Sequence, residues 1–177
     1  MQVKCLRVGN LNTNCYLLIS KNELGIIDPG GEAGKILEEI KKTKAKPKYI
    51  INTHYHPDHI LANQEIKKAT GAKILIHEKE KDFIDFKPDE FLKKKDKIKI
   101  GESVLEVIHT PGHSIGSICL IGENCIFTGD TLFKESYGRT DLAGGSEEQM
   151  KNSLEELLRL IKPGMTVYPG HDDIFRV

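Results

Sequence analysis

The chain has 177 residues, with 26 Lys plus Arg against 26 Asp plus Glu and a formal net charge of zero. That balance gives no electrostatic case for a nucleic-acid partner, and no apolar run approaches the length of about eighteen residues that marks a membrane helix. The length suits one domain, residues 1–177, with enough chain to bury a substantial core, and the lack of an N-terminal leader pattern leads us to expect a cytoplasmic protein.

In chain order, residues 3–8, 15–19 and 24–27 read as a strand meander with polar turns. Residues 33–42 carry Ile36, Leu37 and Ile40 at helical spacing, and Pro47 marks the exit from that helix. Tyr49-Ile50-Ile51 is an apolar run that reads as a buried strand; Ile60-Leu61-Ala62 and Ile66 read as a helix. Residues 86–99 are Lys-rich, but their interleaved Asp and Glu point to a solvated surface loop rather than a phosphate-binding face. Strands follow through residues 98–108, 117–121 and 125–128. Ser146 and Gln149 form a capping-box pattern for a helix with Met150, Leu154, Leu157, Leu158 and Ile161 on its buried face, and Lys162-Pro163-Gly164 ends it. Cys5, Cys15, Cys119 and Cys125 have no CxxC spacing; they lie in apolar runs and read as reduced core thiols. Periodicity by itself reaches a mixed α/β fold.

The chemistry is concentrated in His54-Tyr55-His56-Pro57-Asp58-His59. Only 7 of the 177 residues are histidine, so three within six positions demand an explanation, and each is a good ligand for a divalent metal. Four donors this close cannot all reach one ion at tetrahedral angles, but they can serve two adjacent ions. The stretch follows a strand and precedes a helix, where loops carry active sites in layered α/β folds. Three further strand-end donors occur. His113 follows the run Val104–Ile108 and a Pro-Gly turn, Asp130 follows Cys125-Ile126 in Thr128-Gly129-Asp130, and His171 follows Met165-Thr166-Val167 and a second Pro-Gly turn. A carboxylate such as Asp130 has two oxygens and can bridge two cations. His109 lies four residues before His113, but Pro111 and Gly112 argue against a helix there, so His109 reads as a structural strand-end residue. His77, after Ile74-Leu75-Ile76, reads as a surface or supporting residue.

The order HxHxDH, PGH, TGD, PGH, from about Asn14 to His171, resembles the metallo-β-lactamase superfamily. The resemblance implies an αββα sandwich of two mixed sheets with helices on the outer faces. It implies that His54, His56 and His113 hold one metal, that Asp58, His59 and His171 hold a second, and that Asp130 bridges them together with a hydroxide. Asp28, in Ile27-Asp28-Pro29-Gly30-Gly31, matches the family's early buried aspartate, which supports the ligand loops. Gly138-Arg139-Thr140-Asp141, after the TGD segment, looks like the glyoxalase II and persulfide dioxygenase branches. The implied activity is hydrolysis of a thioester by a dinuclear site, with Asp58 and Asp130 catalytic and Arg139 gripping a substrate carboxylate; an Arg139–Asp141 staple is the competing role for that arginine. Zinc is the default metal for a His-rich site, and iron or manganese fit similar ligand sets. The chain departs from glyoxalase II in ending six residues past His171 and in carrying Asp173 where an aromatic residue is expected, which puts glutathione as thiol carrier in doubt.

Three other readings use the same residues. A mononuclear iron persulfide dioxygenase would hold its metal with His54, His113 and Asp130. A phosphodiester or lactone hydrolase would use the metal pair on another bond. A non-enzymatic metal-holding module would need a closed site, whereas loop-borne ligands at strand ends suggest an open one.

Overall fold

The computed structural model describes residues Met1–Val177. The first sheet contains β1 (Gln2–Val8), β2 (Thr13–Ser20), β3 (Glu23–Ile27), β4 (Lys46–Ile51), β5 (Lys73–His77) and β6 (Glu90–Leu92), side by side in that order. The second contains β7 (Lys97–Ile100), β8 (Ser103–His109), β9 (Ile118–Ile121), β10 (Cys125–Gly129), β11 (Thr166–Pro169) and β12 (Phe175–Arg176), again in order of sequence. Hairpins join β1–β2–β3 and β7–β8–β9–β10 antiparallel, whereas β3–β4–β5–β6 and β10–β11 pair parallel. A parallel neighbour requires a crossover, and helices α1 (Ala33–Thr43), α3 (Asn63–Thr70) and α4 (Glu147–Leu160) occur in three of them.

Side-chain parity sorts the apolar residues into three layers. Along β2, Cys15 and Leu17 face α1 and α3, while Tyr16 and Leu18 face the second sheet. Ile50 and Ile51 divide in the same way on β4, as do Ile74 and Leu75 on β5. On β10, Phe127 joins the core between the sheets, and Ile126 packs under α4 with Leu157, Met165 and Val167. Strand side chains alternate between faces, so one sheet fills two layers. The result is the αββα sandwich with outer helices.

Four local expectations are revised. Residues 86–99 are not one solvated loop: they contain β6 and the start of β7, with Leu92 and Ile98 buried between the sheets. The helix expected around Ile60–Ile66 is two short pieces, α2 (Pro57–Ile60) and α3. Leu158 is 60% exposed, because α4 buries Met150, Ser153 and Leu157, and a one-residue step turns Leu158 about 100° off that stripe. The cap of α4 is half a capping box: Ser146 Oγ accepts from Gln149 N at 3.3 Å, but Ser146 N donates to Gly112 O at 2.8 Å. The four cysteines are free, each in a strand. Burial pushes the thiols up, Cys119 to about 11.

Candidate metal centre

The donors converge from both sheets. The loop from β4 to α2 carries His54 and His56, and α2 itself carries Asp58 and His59. Pro57 starts α2 at its first position, where the missing N–H would be unsatisfied anyway. The β8–β9 loop supplies His113, the turn after β10 supplies Asp130, and the segment after β11 supplies His171. Three groupings place their ligand atoms within 4.8 Å of one another: His54, His56 and His113; His54, His59 and Asp130; and Asp58, His59 and His171.

Asp130 lies between the two outer groups. Its Oδ2 is 3.5 Å from His113 Nε2 and 3.6 Å from His171 Nε2, and its Oδ1 is 3.5 Å from His59 Nε2. Asp58 Oδ2 is 3.4 Å from His59 Nε2 and 3.2 Å from His171 Nε2, and accepts from the Thr13 hydroxyl at 3.0 Å. Gly170 makes this approach possible, since a Cβ there would stand 2.8 Å from His59 Cε1 and would strike Asp130 Oδ1.

Partners on the far side hold four of the five rings. Nδ1 of His59 meets Asp28 Oδ2 at 3.0 Å, Nδ1 of His113 meets Arg139 O at 2.7 Å, Nδ1 of His171 meets Leu11 O at 3.2 Å, and Nδ1 of His54 meets Thr53 Oγ1 at 3.0 Å. For the first three, the far-side acceptor holds a proton on Nδ1 and makes Nε2 the atom that faces the cluster and would ligate an ion, the usual arrangement behind a ligating histidine. Asp28 also accepts from Thr53 N at 2.8 Å and Thr53 Oγ1 at 2.7 Å, which ties the start of the histidine loop to the end of β3.

The donor set fits a cation. Nε2 of His54, His56 and His113 and Oδ1 of Asp130 are buried with no hydrogen-bond partner. Buried polar atoms are nearly always paired, and three imidazole orphans within 4.8 Å of one another, with the Asp130 carboxylate beside them, are what a divalent ion would satisfy. The two sides differ electrostatically. Burial and the neighbouring imidazoles push His54 well below its ordinary value and bring His56 to about 4, so their lone pairs are free at neutral pH. On the other side burial opposes charge on His59, but Asp130, Asp28 and Asp58 outweigh it and raise the ring to about 9. Burial also opposes ionisation of Asp58, yet bonds from His171 and Thr13 and the nearby His59 hold its carboxyl below the usual range. The carboxylate side therefore draws in positive charge.

All seven sequence-derived donors thus meet at one end of the sandwich. Beside them lies an open cleft of about 550 Å³, lined by Arg7, Leu11, Asn12, His171, Asp172 and Asp173. A cleft of about 620 Å³ at the opposite strand ends, next to Ser20, Glu102, Cys125 and Thr166, contains none of the donors. Over residues 8–171 the chain matches the family described as the metallo-beta-lactamase superfamily. The chain belongs to this superfamily. Among metallo-β-lactamase superfamily relatives, it is 34% identical to Bacillus subtilis YqgX, named a probable metallo-hydrolase, over 97% of this chain and 90% of the other. It is 30% identical to BLEG-1, a B3 metallo-beta-lactamase, with a TM-score of 0.93 over 99% and 94% of the two chains. It is 28% identical to TTHA1623 in a di-iron-bound form, with a TM-score of 0.89 over 98% and 94%.

Arg139 is less free than a substrate anchor would be. Its Nε and Nη2 grip both oxygens of Asp141, at 2.7 and 2.8 Å, on the exposed surface. Asp173, in the place of the expected aromatic residue, pairs with Arg7 at 2.9 Å. His77 is buried rather than on the surface, and its ring stacks on His109 at 4.3 Å. The sequence reading missed Thr13, Thr53 and Glu80. Hydroxyls and a lone glutamate carry no spacing signature, and only position beside the ligand loops reveals them.

Proposed function

We propose that this protein is a dinuclear metal-dependent hydrolase whose substrate is a thioester. His54, His56 and His113 would hold one ion, Asp58, His59 and His171 the second, and Asp130 would reach both. The carrying observation is the set of orphaned, buried Nε2 atoms of His54, His56 and His113, within 4.8 Å of one another, with Asp130 Oδ2 3.5 Å from the last of them. The second group of three donors beside it supports two ions rather than one. Zinc, iron and manganese all suit this His-and-carboxylate set.

Divalent ions at such a site lower the pKa of water toward neutrality and polarise a carbonyl group. The remaining work falls to the chain. Asp58, part-buried beside His171 and held by Thr13, is placed to carry a proton to the leaving group. Asp130 spans the two donor groups and fixes their separation. Arg139 meets a substrate carboxylate by exchanging it for Asp141; such an exposed pair contributes about 0–1 kcal/mol, so exchange is inexpensive. No thiol competes as nucleophile, since all four cysteines lie in strands with their pKa values raised.

The test is metal content on protein purified without chelators or oxygen, followed by a thioester panel beginning with S-lactoylglutathione and including a β-lactam. Two ions per chain with thioester turnover are expected. One iron per chain with oxygen uptake on a persulfide would replace this reading with the mononuclear one using His54, His113 and Asp130. Two ions with turnover only of a phosphodiester or lactone would keep the site and change the substrate.

A further inference from the structure

We infer that Glu80 is a positioning residue that sets the distance between the His54/His56 pair and His113, a deepening that rests on the metal reading above. Glu80 ends the single 3-10 turn, Glu78–Glu80, that follows β5, and it is fully buried. Its Oε1 accepts from Ser114 Oγ and, at 3.1 Å, from Gly116 N; its Oε2 is buried without a partner. A carboxyl group buried without a cation is a poor device for stability alone, since a well-packed apolar side chain avoids the desolvation penalty. What this one holds is the loop that presents His113.

The grip is close and specific. Ser114 Oγ also meets Ser117 Oγ at 2.7 Å, and Ser114 N donates to Ser117 Oγ at 3.0 Å, so the Glu80 bond fixes the whole turn. At Gly116 a Cβ would stand 2.6 Å from Glu80 Cγ, leaving room only for glycine. Three residues before Glu80, His77 stacks on His109, whose Nε2 meets Ile115 O at 3.0 Å. The end of β5 therefore holds the 113–117 turn from two directions. β5 pairs with β4, Ile51 beside Leu75, and β4 leads directly into His54. His54 and His56 thus hang from the first sheet and His113 from the second; Ile118 N donates to Thr53 O at 2.9 Å at the far end of the turn, and Glu80 is the side-chain strut that crosses at the His113 end. The Arg139 carbonyl aims the His113 ring, while Glu80 places its backbone. Burial pushes the Glu80 carboxyl up to about 7 against the Ser114 and Gly116 bonds, so an amide, isosteric with the protonated acid, suits the same pocket.

The test is a cobalt(II) titration of the full chain after chelation, followed by visible absorption, for wild type, Glu80→Ala, Glu80→Gln and Ser114→Ala. It is repeated in a His171→Ala background, where only the three-histidine position keeps its ligands. We expect Glu80→Ala to weaken that position by about 10- to 100-fold, the range for lost supporting contacts, and to change its absorption. Glu80→Gln keeps the Oε1 acceptor and should restore both. Ser114→Ala removes one of the two bonds and should give an intermediate loss, and it decides the matter if Glu80→Ala does not fold. Wild-type affinity and absorption in Glu80→Ala, or in Ser114→Ala should that variant alone fold, overturn the inference while leaving the metal reading intact. A wild-type chain that takes up no cobalt overturns both.

Discussion

Asp28→Asn is the sharpest perturbation of the site, because it keeps the side-chain shape while changing its hydrogen-bond polarity and removing one of the charges that face His59. Asp28 sits at φ 50°, a left-handed conformation that Asn tolerates as well as Asp, so backbone strain is unchanged. The carboxylate accepts three bonds, from Thr53 N, Thr53 Oγ1 and His59 Nδ1. An amide has one oxygen. If that oxygen faces Thr53 N, the amide NH2 opposes His59 Nδ1–H; if it faces His59, the NH2 opposes a backbone N–H. In the first case His59 avoids the clash only with Nδ1 bare and its proton held on Nε2, the atom that faces Asp58 and Asp130. One charge-assisted buried bond is then lost, about 1.5–3 kcal/mol, and the inward lone pair with it, for about 10- to 100-fold in affinity of the second ion. Urea unfolding of chelated protein measures the first quantity, and zinc competition against a chromophoric chelator measures the second. A variant that is destabilised yet binds two ions with wild-type affinity would refute the tautomer argument and leave Asp28 a residue of the fold alone.

Asp58→Asn is expected to reduce both second-ion occupancy and turnover; full activity with full metal would remove its proton-carrying role. Arg139→Ala should raise KM for carboxylate-bearing substrates while unfolding stability moves by under about 1 kcal/mol, as for an exposed pair. Leu157→Ala, in the layer under α4, should cost about 2–5 kcal/mol in denaturant unfolding, while Leu158→Ala one position on should stay within about 0.5 kcal/mol. Glu80 has a raised folded-state pKa, from 4.5 to about 7. Its protonated form is favoured in the fold, so the contribution is complete below pH 4.5 and is lost as pH rises to 7. Metal-free wild type should therefore lose up to about 3 kcal/mol relative to Glu80→Gln across that window, and parallel stability profiles would contradict it.

The donor residues were readable because each combines a ligating side chain with a strand end marked by an apolar run, and those two signals are independent. The layering was not readable in the same way: periodicity reached only a mixed α/β fold, and the αββα order came with the family resemblance, because a strand such as Cys15-Tyr16-Leu17-Leu18, apolar on both faces, does not say what covers each face. The limits were equally physical. In residues 86–99, Phe91-Leu92 is a lone apolar pair ahead of three lysines, and a strand of three residues is too short for alternation to register. Leu158 fits a helical stripe if the stripe is drawn one residue too wide, and only packing fixes its edge. Arg139 and Asp141, two residues apart, left both an anchor and a staple open, and only the side-chain geometry shows that the two pair. Thr13 lies 45 residues before Asp58, and that contact belongs to tertiary structure alone.

The strand order has a consequence for synthesis. Every strand in the first sheet precedes every strand in the second, so a growing chain can assemble the first half while the other is still being made. That half closes its outer layer with α1 and α3, but Tyr16, Leu18, Ile27, Ile51 and Leu75 face a partner not yet translated. Until β7 to β10 emerge, the nascent protein displays a flat apolar β-surface, the kind that recruits chaperones or sticks to a neighbouring copy. Slow translation anywhere between Lys97 and the emergence of Gly129 would prolong that exposure.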